Sequence, residues 1–312
     1  MRESALMRTS ALGLLLVAFA SAGLAQPQQQ PPQPEFVKHA QELVRSGKLD
    51  DALAVYQAEL KTSPNSVAAN NGAGVILDLL GRTKEAKTYF HRAIEAADTP
   101  AAKANAERSL AMSYAFDNDC PNAAKYDEMA AEHYASVSDF FRAGEIYNEA
   151  ARVCFDAGSL ETSEKLYRRG EETGLKEANI TPARVALWNF RREHALARIA
   201  ARRGEAAVAK KHVEAARAIL DRNPEMAKDQ EIFFPYLTGY VALVTGDPKT
   251  ALADLQKARQ EDPYIQLLMA EAYEKLGDTA KAKELYAKAA STTAHNPVGA
   301  YVRPLASKKL EH

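Results

Sequence analysis

Arginine is the residue whose placement in this sequence most invites chemistry. Projecting the segment around Trp188 as a helix puts Arg184, Trp188, Arg191, Arg198 and Arg202 on one broad face, repeating every one or two turns. Four guanidinium groups on one face require partners. A preceding helical segment offers Asn148 and Arg152 one turn apart, and a following one offers Phe233, Tyr236 and Tyr240. Together they make a basic groove with an aromatic floor, which suits an acidic or carboxylate-ending peptide held by bidentate arginine hydrogen bonds and ring packing. The competing reading pairs these arginines with the many nearby glutamates and packs the tyrosines between helices, since a charged stripe on a helix usually faces solvent.

Other chemistry is scarce. No two histidines have the spacing of a helical zinc site, and His91, His133, His194 and His212 stand alone on alanine-rich segments. There is no Gly-x-Ser-x-Gly elbow, phosphate loop or dinucleotide fingerprint, and Glu271 with Glu274 reads as a solvated helix face. Asn71-Gly72-Ala73-Gly74 carries two glycines inside a helical pattern, where they read as packing residues. No catalytic residue, metal ligand or cofactor is expected.

The elements that must position the arginines are helices. The chain has 312 residues, 46% hydrophobic and 26% charged, with 40 basic and 41 acidic side chains, the proportions of a globular protein. Such a balance supplies no global field for nucleic acid or anionic lipid. Residues 1–25 read as a secretory signal peptide: Arg2 and Arg8, an apolar run from Ala11 to Ala20, then small residues to Ala25. The run is shorter than a membrane span requires, so cleavage is expected, after Ala25 or alternatively Ala22; an uncleaved anchor is the competing reading. The mature protein is expected to be exported, to the periplasm or outside the cell, with no stable membrane insertion. Residues 26–34, rich in proline and glutamine, read as an extended linker.

From Glu35 onward the apolar periodicity is helical, and a frame recurs: Gly47-x4-Ala52-x3-Tyr56, Gly81-x4-Ala86-x3-Phe90, Gly246-x4-Ala251-x3-Leu255 and Gly277-x4-Ala282-x3-Tyr286. Alanine follows at Ala93, Ala258 and Ala289, and proline closes two units at Pro64 and Pro263. These residues resemble the tetratricopeptide repeat family. The resemblance extends to the small residue seven positions before each turn, supplied by Ala40, Gly74, Ala111, Ala151, Ala197, Gly239 and Ala270. It implies an all-α superhelix over residues 35–312, an α-solenoid of about seven antiparallel helix pairs (A then B), closed by a short capping helix from Pro297 to Glu311 that covers the last unit with Tyr301 and Leu305 and is disturbed by Pro304. Turns are expected at Gly47, Gly81, Asn118, Gly158, Gly204, Gly246 and Gly277. The middle units depart from the pattern, with Asn118 at a turn, Asp127 and Val213 for aromatics and Ser163 for alanine, and their helices should overrun the consensus.

In this frame Cys120 lies just beyond the helix A turn of unit three and Cys154 late in helix A of unit four. They are either a disulfide or two separate buried thiols, the bond requiring Cα atoms within about 7 Å. The family's concave surface is lined by helix A, which places Asn148, Arg152, Arg184, Arg191, Arg198, Arg202, Tyr236 and Tyr240 on it in units four to six. Positions matching the basic clamp of family members that hold chaperone tails carry Val37, Gln41, Gly72, Asn105 and Ser109, so a chaperone co-factor role is not expected. The reading is an exported, non-catalytic scaffold binding a protein or peptide partner along its concave surface. Its rivals are a structural subunit or homo-oligomer of an envelope or secretion assembly, and, less favoured, an enzyme.

Overall fold

The computed structural model describes residues 33–311; the expected signal peptide, 1–25, and all but the end of the linker lie outside the described residues. Every regular element described is helical. Helices pair as units: α1 (Glu35–Arg45) with α2 (Leu49–Thr62), α3 (Val67–Leu79) with α4 (Thr83–Ala96), and α5 (Pro100–Phe116) with α6 (Cys120–Ser136). The middle pairs are α7 (Phe140–Asp156) with α8 (Leu160–Gly174), and α9 (Pro182–Arg202) with α10 (Ala206–Arg222). A short helix α11 (Pro224–Gln230) and a 3-10 turn (Glu231–Phe233) precede α12 (Phe234–Val244) with α13 (Pro248–Leu255) and α14 (Pro263–Lys275) with α15 (Thr279–Ala290). A final helix, α16 (Pro297–Leu310), follows the seventh pair. The result is an all-α tetratricopeptide-type solenoid of seven helix pairs and a terminal helix.

Local chemistry explains the boundaries. Ser66, Thr99, Asp119, Asp139, Thr181, Asp247, Asp278 and Asn296 each accept a backbone N–H at the start of a helix. All seven expected turn residues adopt positive φ, from 56° at Asn118 to 97° at Gly246. This left-handed conformation ends helix A and frees the chain to reverse; asparagine is the residue that tolerates it best after glycine. The middle helices do overrun the consensus, α9 reaching 21 residues.

Within a pair, a small residue on helix A fits against a large one on helix B. A Cβ added at Gly74 would lie 2.6 Å from the Phe90 ring, and one at Gly239 2.7 Å from Leu255. Gly72 likewise admits the Tyr56 ring, so both glycines of the Asn71–Gly74 run are packing residues. Between units four and five the large residue is on helix A instead: Trp188 of α9 packs on glycines of α7 and α8. It is 1% exposed, seated on Gly144 and Gly174, with Phe141 edge-on at 5.6 Å. Ser163, at an alanine position, is fully buried and satisfied by donating to the Ala151 carbonyl at 2.8 Å. Asp127, at an aromatic position, is fully buried with neither carboxylate oxygen hydrogen-bonded; burial, with Glu149 adding repulsion, holds its pKa well above the usual carboxylate range.

Cys120 and Cys154 are bonded, with Cα atoms 4.8 Å apart, which decides between the two readings left open by spacing. The bridge ties the first turn of α6 to α7 and closes a 34-residue separation. A loop of that length, restricted in the unfolded chain, stabilises the fold by about 3–4 kcal/mol.

The terminal helix does more than cap. It packs on α14 and α15 as expected, and also reaches back across the concave side to α5 and α7. His295, in the segment before it, bonds the Asp78 carboxylate of α3 at 2.8 Å and lies between the rings of Phe90 and Phe116. Asp78 also accepts from Ser113 of α5 at 2.8 Å. Arg303 donates to the carbonyls of Leu79, Ala290 and Thr292, joining unit two to unit seven. Pro304 leaves α16 unbroken: the helix runs through it to Leu310. Among the described residues no helix is long and apolar enough to cross a membrane.

Replacing Gly174 with alanine would place a methyl group 2.1 Å from the Trp188 ring. Helix propensity favours this change by about 1 kcal/mol and overpacking opposes it by about 1–3. We expect a net loss, read as a lower urea midpoint with unchanged slope; a raised midpoint would show that Trp188 is not tightly held.

Candidate functional site

A recess of about 590 Å³ opens among α7, α9, the 3-10 turn, α12 and the segment entering α16. Asn148, Arg152, Arg191, Arg198 and Tyr236 line it, five of the eight residues singled out from the sequence. The other three stand apart. Arg184 lies over the Phe141 ring at 3.9 Å with Glu177 at 3.4 Å, Arg202 lies 5.2 Å from the Phe155 ring, and Tyr240 is 2% exposed against the same phenylalanine. Trp188, assigned to the arginine face by helical projection, faces the α7–α8 packing instead.

The arginines differ in how their charge is met. Arg152 donates from Nε to Asp156 at 2.7 Å and from Nη1 to the Tyr236 hydroxyl at 3.4 Å, with its guanidinium 4.1 Å above the Tyr264 ring. Arg191 pairs with Glu145 at 3.0 Å. Arg198, only 4% exposed, donates to the hydroxyls of Tyr236 and Tyr167, at 3.2 and 3.1 Å, and to the His194 carbonyl at 3.3 Å. All three acceptors are neutral, and it pairs with no carboxylate among the described residues. Its ring neighbours, Phe155 at 5.1 Å and Tyr236 at 5.8 Å, offset part of the desolvation through their π faces. Thus the glutamate-pairing reading holds for Arg184 and Arg191, and an aspartate serves Arg152, while Arg198 and, outside the recess, Arg202 have no carboxylate in contact among the described residues.

Further donors around the recess are unmet. Arg152 Nη2, Arg191 Nη1 and His194 Nε2 are buried without hydrogen-bond partners. His194 is held neutral: burial, then the positive charges of Arg198 and Arg152, depress its pKa well below the ordinary histidine value. Glu145 and Glu149 also border the recess; Glu149 is engaged by Arg108 at 2.6 Å. Helical projection missed Tyr167 because it sits on a B helix, and it treated His194 as isolated because its neighbours come from α7 and α12, far away in sequence. Asn296, Pro297 and Val298, which wall one side, could be found only once the chain had folded back.

The pH dependence follows from His194. A histidine whose folded pKa lies below its unfolded value of 6.5 takes up a proton on unfolding, so stability is lost as pH falls through 6.5 and below. Other buried groups, Asp127 and Asp78 among them, titrate with the opposite sign, so the comparison must be with His194→Gln. The stability of the wild type relative to that variant should fall by about 1.4 kcal/mol per pH unit below 6.5 in urea titrations; a difference independent of pH would show that His194 is protonated in the folded chain.

Comparison with known proteins accords with this architecture. Residues 37–102 match the tetratricopeptide repeat family, and residues 263–296 match it again. No curated protein matches the sequence. Among solved structures, the apo form of RapI superposes with a TM-score of 0.53 at 12% identity, over 88% of this chain and 97% of that one. A tetratricopeptide repeat protein from Parabacteroides merdae ATCC 43184 gives 0.47 at 14% identity, over 88% and 98% of the two chains. At these identities the likeness to RapI speaks for fold alone. Two segments thus match the repeat, and the helix pairs between them continue the same tetratricopeptide-type solenoid.

Proposed function

We propose that the protein is an exported, non-catalytic scaffold that binds a polypeptide partner on the concave side of units four to six. Tetratricopeptide repeats serve widely as protein-binding surfaces, and a stacked scaffold holds its surface rigid before the partner arrives, which lowers the ordering cost of binding. The observation that carries the assignment to these units is the convergence of Arg152, Arg191, Arg198 and Tyr236 on one recess, with Phe233 and Ile232 exposed on the neighbouring turn as apolar anchors. A cationic recess beside exposed apolar side chains suits a partner that presents acidic groups next to a hydrophobic residue. Export is supported by the signal-like residues 1–25 and by the Cys120–Cys154 bond, which persists in an oxidising compartment.

One observation favours the rival reading of a structural subunit. The chain's own α16 packs on α5 and on part of α7, so the concave surface of unit three and one side of unit four is already used. A partner of those units would dock on the convex side or at the ends of the solenoid.

Arg198 is too buried for its truncation to report on binding alone, whereas Arg184 and Arg191 keep about a third of their side-chain surface exposed, 35% and 29%. Crosslinking and co-precipitation from the cell envelope should therefore compare the wild type with the Arg184→Ala, Arg191→Ala double variant. Recovery of the partner should fall about tenfold and lose part of its salt dependence, with helicity unchanged. Equal recovery by both proteins would move the working surface away from units four to six. The same preparation tests export: the recovered chain should begin at Gln26 and carry the bridge, and a retained leader with free thiols would overturn that part of the reading.

A further inference from the structure

We propose that the recess among α7, α9 and α12 is a binding site for a single carboxylate group, carried on a compact ligand with an apolar body, which serves as the counter-ion of Arg198. The first ground is charge. Glu145 answers Arg191, Asp156 answers Arg152 and Arg108 holds Glu149, which leaves Arg198, among the arginines that line the recess, without a carboxylate in contact; Asp156 acts on it only from a distance. Burying an ion without a counter-charge is costly, and neutral hydroxyls meet only part of that cost. An anion brought into the recess would meet the rest.

The second ground is the supply of donors. Arg152 Nη2 and Arg191 Nη1, both unpartnered, belong to side chains lining the same recess and are available to an acceptor there, and the unpartnered His194 Nε2 donates or accepts according to the tautomer of the neutral ring. Charge-assisted donors of this kind are worth roughly twice a neutral pair, and the arginine fork matches the two oxygens of a carboxylate. Glu145 and Glu149 on the border repel a dianion more strongly than a monoanion, which favours a carboxylate over a phosphate monoester.

The third ground is shape. Asn296, Pro297 and Val298 wall one side, and α16 packs on α5 and α7 beside them, which limits the length of chain that the recess can hold. A volume of about 590 Å³ lies within the range of small-ligand pockets. It admits a compact acid or the end of a chain rather than a strand passing through. Phe190, Phe233 and Val298 supply an apolar wall for the body that bears the carboxylate.

This site shares Arg191 with the scaffold proposal but not its readout: co-precipitation reports on the scaffold, and titration of defined compounds reports on the recess. The full chain is titrated calorimetrically with 3-phenylpropionate and its amide, and with the peptide Gly-Gly-Phe ending in a free acid or an amide. We expect an acid to bind at least about tenfold more tightly than its amide, with affinity that falls as salt rises. Binding of the free acid assigns the site to small organic acids; binding of the peptide acid alone assigns it to a chain end; both outcomes uphold a carboxylate site. Arg198→Met should abolish the preference for acid over amide. Because that variant removes a buried charge and is liable to misfold, Arg191→Gln is measured beside it and should weaken the acid about fivefold or more while leaving the amide unchanged. Equal affinity of acid and amide, no binding of any probe at about 10 mM, or an acid affinity unaltered by Arg191→Gln would overturn the proposal.

Discussion

Everything in this molecule depends on close approach between a helix that presents a small residue and a neighbouring helix that presents a large one. Gly74 against Phe90, Gly239 against Leu255 and the Gly144–Gly174 seat of Trp188 are three instances of one constraint. A two-helix hairpin has no interior of its own, and it gains one only when its neighbour fills the gap. Where the fit is exact to within a methyl group, the angle between successive units is set, and with it the curvature that brings distant helices face to face.

That curvature explains how a terminal helix comes to touch the second, third and fourth units. Asp78 is buried in α3, where an unpaired carboxylate would be costly, and it is satisfied by Ser113 from the next unit and His295 from the far end of the chain. Burial raises its pKa, while the bonds from His295 and Ser113 pull it down. Arg303 adds three backbone carbonyls from both ends of the solenoid. An open superhelix thereby acquires a cross-brace, and the brace supplies one wall of the recess in which Arg198 is buried.

The recess departs from the logic of the rest of the chain. At Ser163 and Asp78 buried polar groups are satisfied by the chain itself. Around Arg198 the tyrosine hydroxyls, a neutral histidine and a carbonyl surround a charge that none of them balances. Asp127 differs in character: its fully buried carboxylate has no partner and is absent from the lining of the recess, which makes it a local cost in unit three.

The helical class, the seven turns and the helix pairs were legible in the residues because each rests on local chemistry. Glycine or asparagine at a positive-φ turn and alanine or glycine at a close approach leave a periodic mark whatever the rest of the chain does. That Asn148, Arg152, Arg191, Arg198 and Tyr236 lie together was legible for the same reason, since helical period and repeat frame together specify a face. What tertiary structure alone decided is which members of that face are buried, paired or left without a counter-ion. Trp188 turned into the core because two glycines on α7 and α8 made room for it, and Tyr167 reached Arg198 from a helix that the repeat pattern assigns to the other side. The return of α16 was likewise invisible: a contact between residues 78 and 295 depends on the summed rotation of every unit between them, and no local pattern encodes that sum.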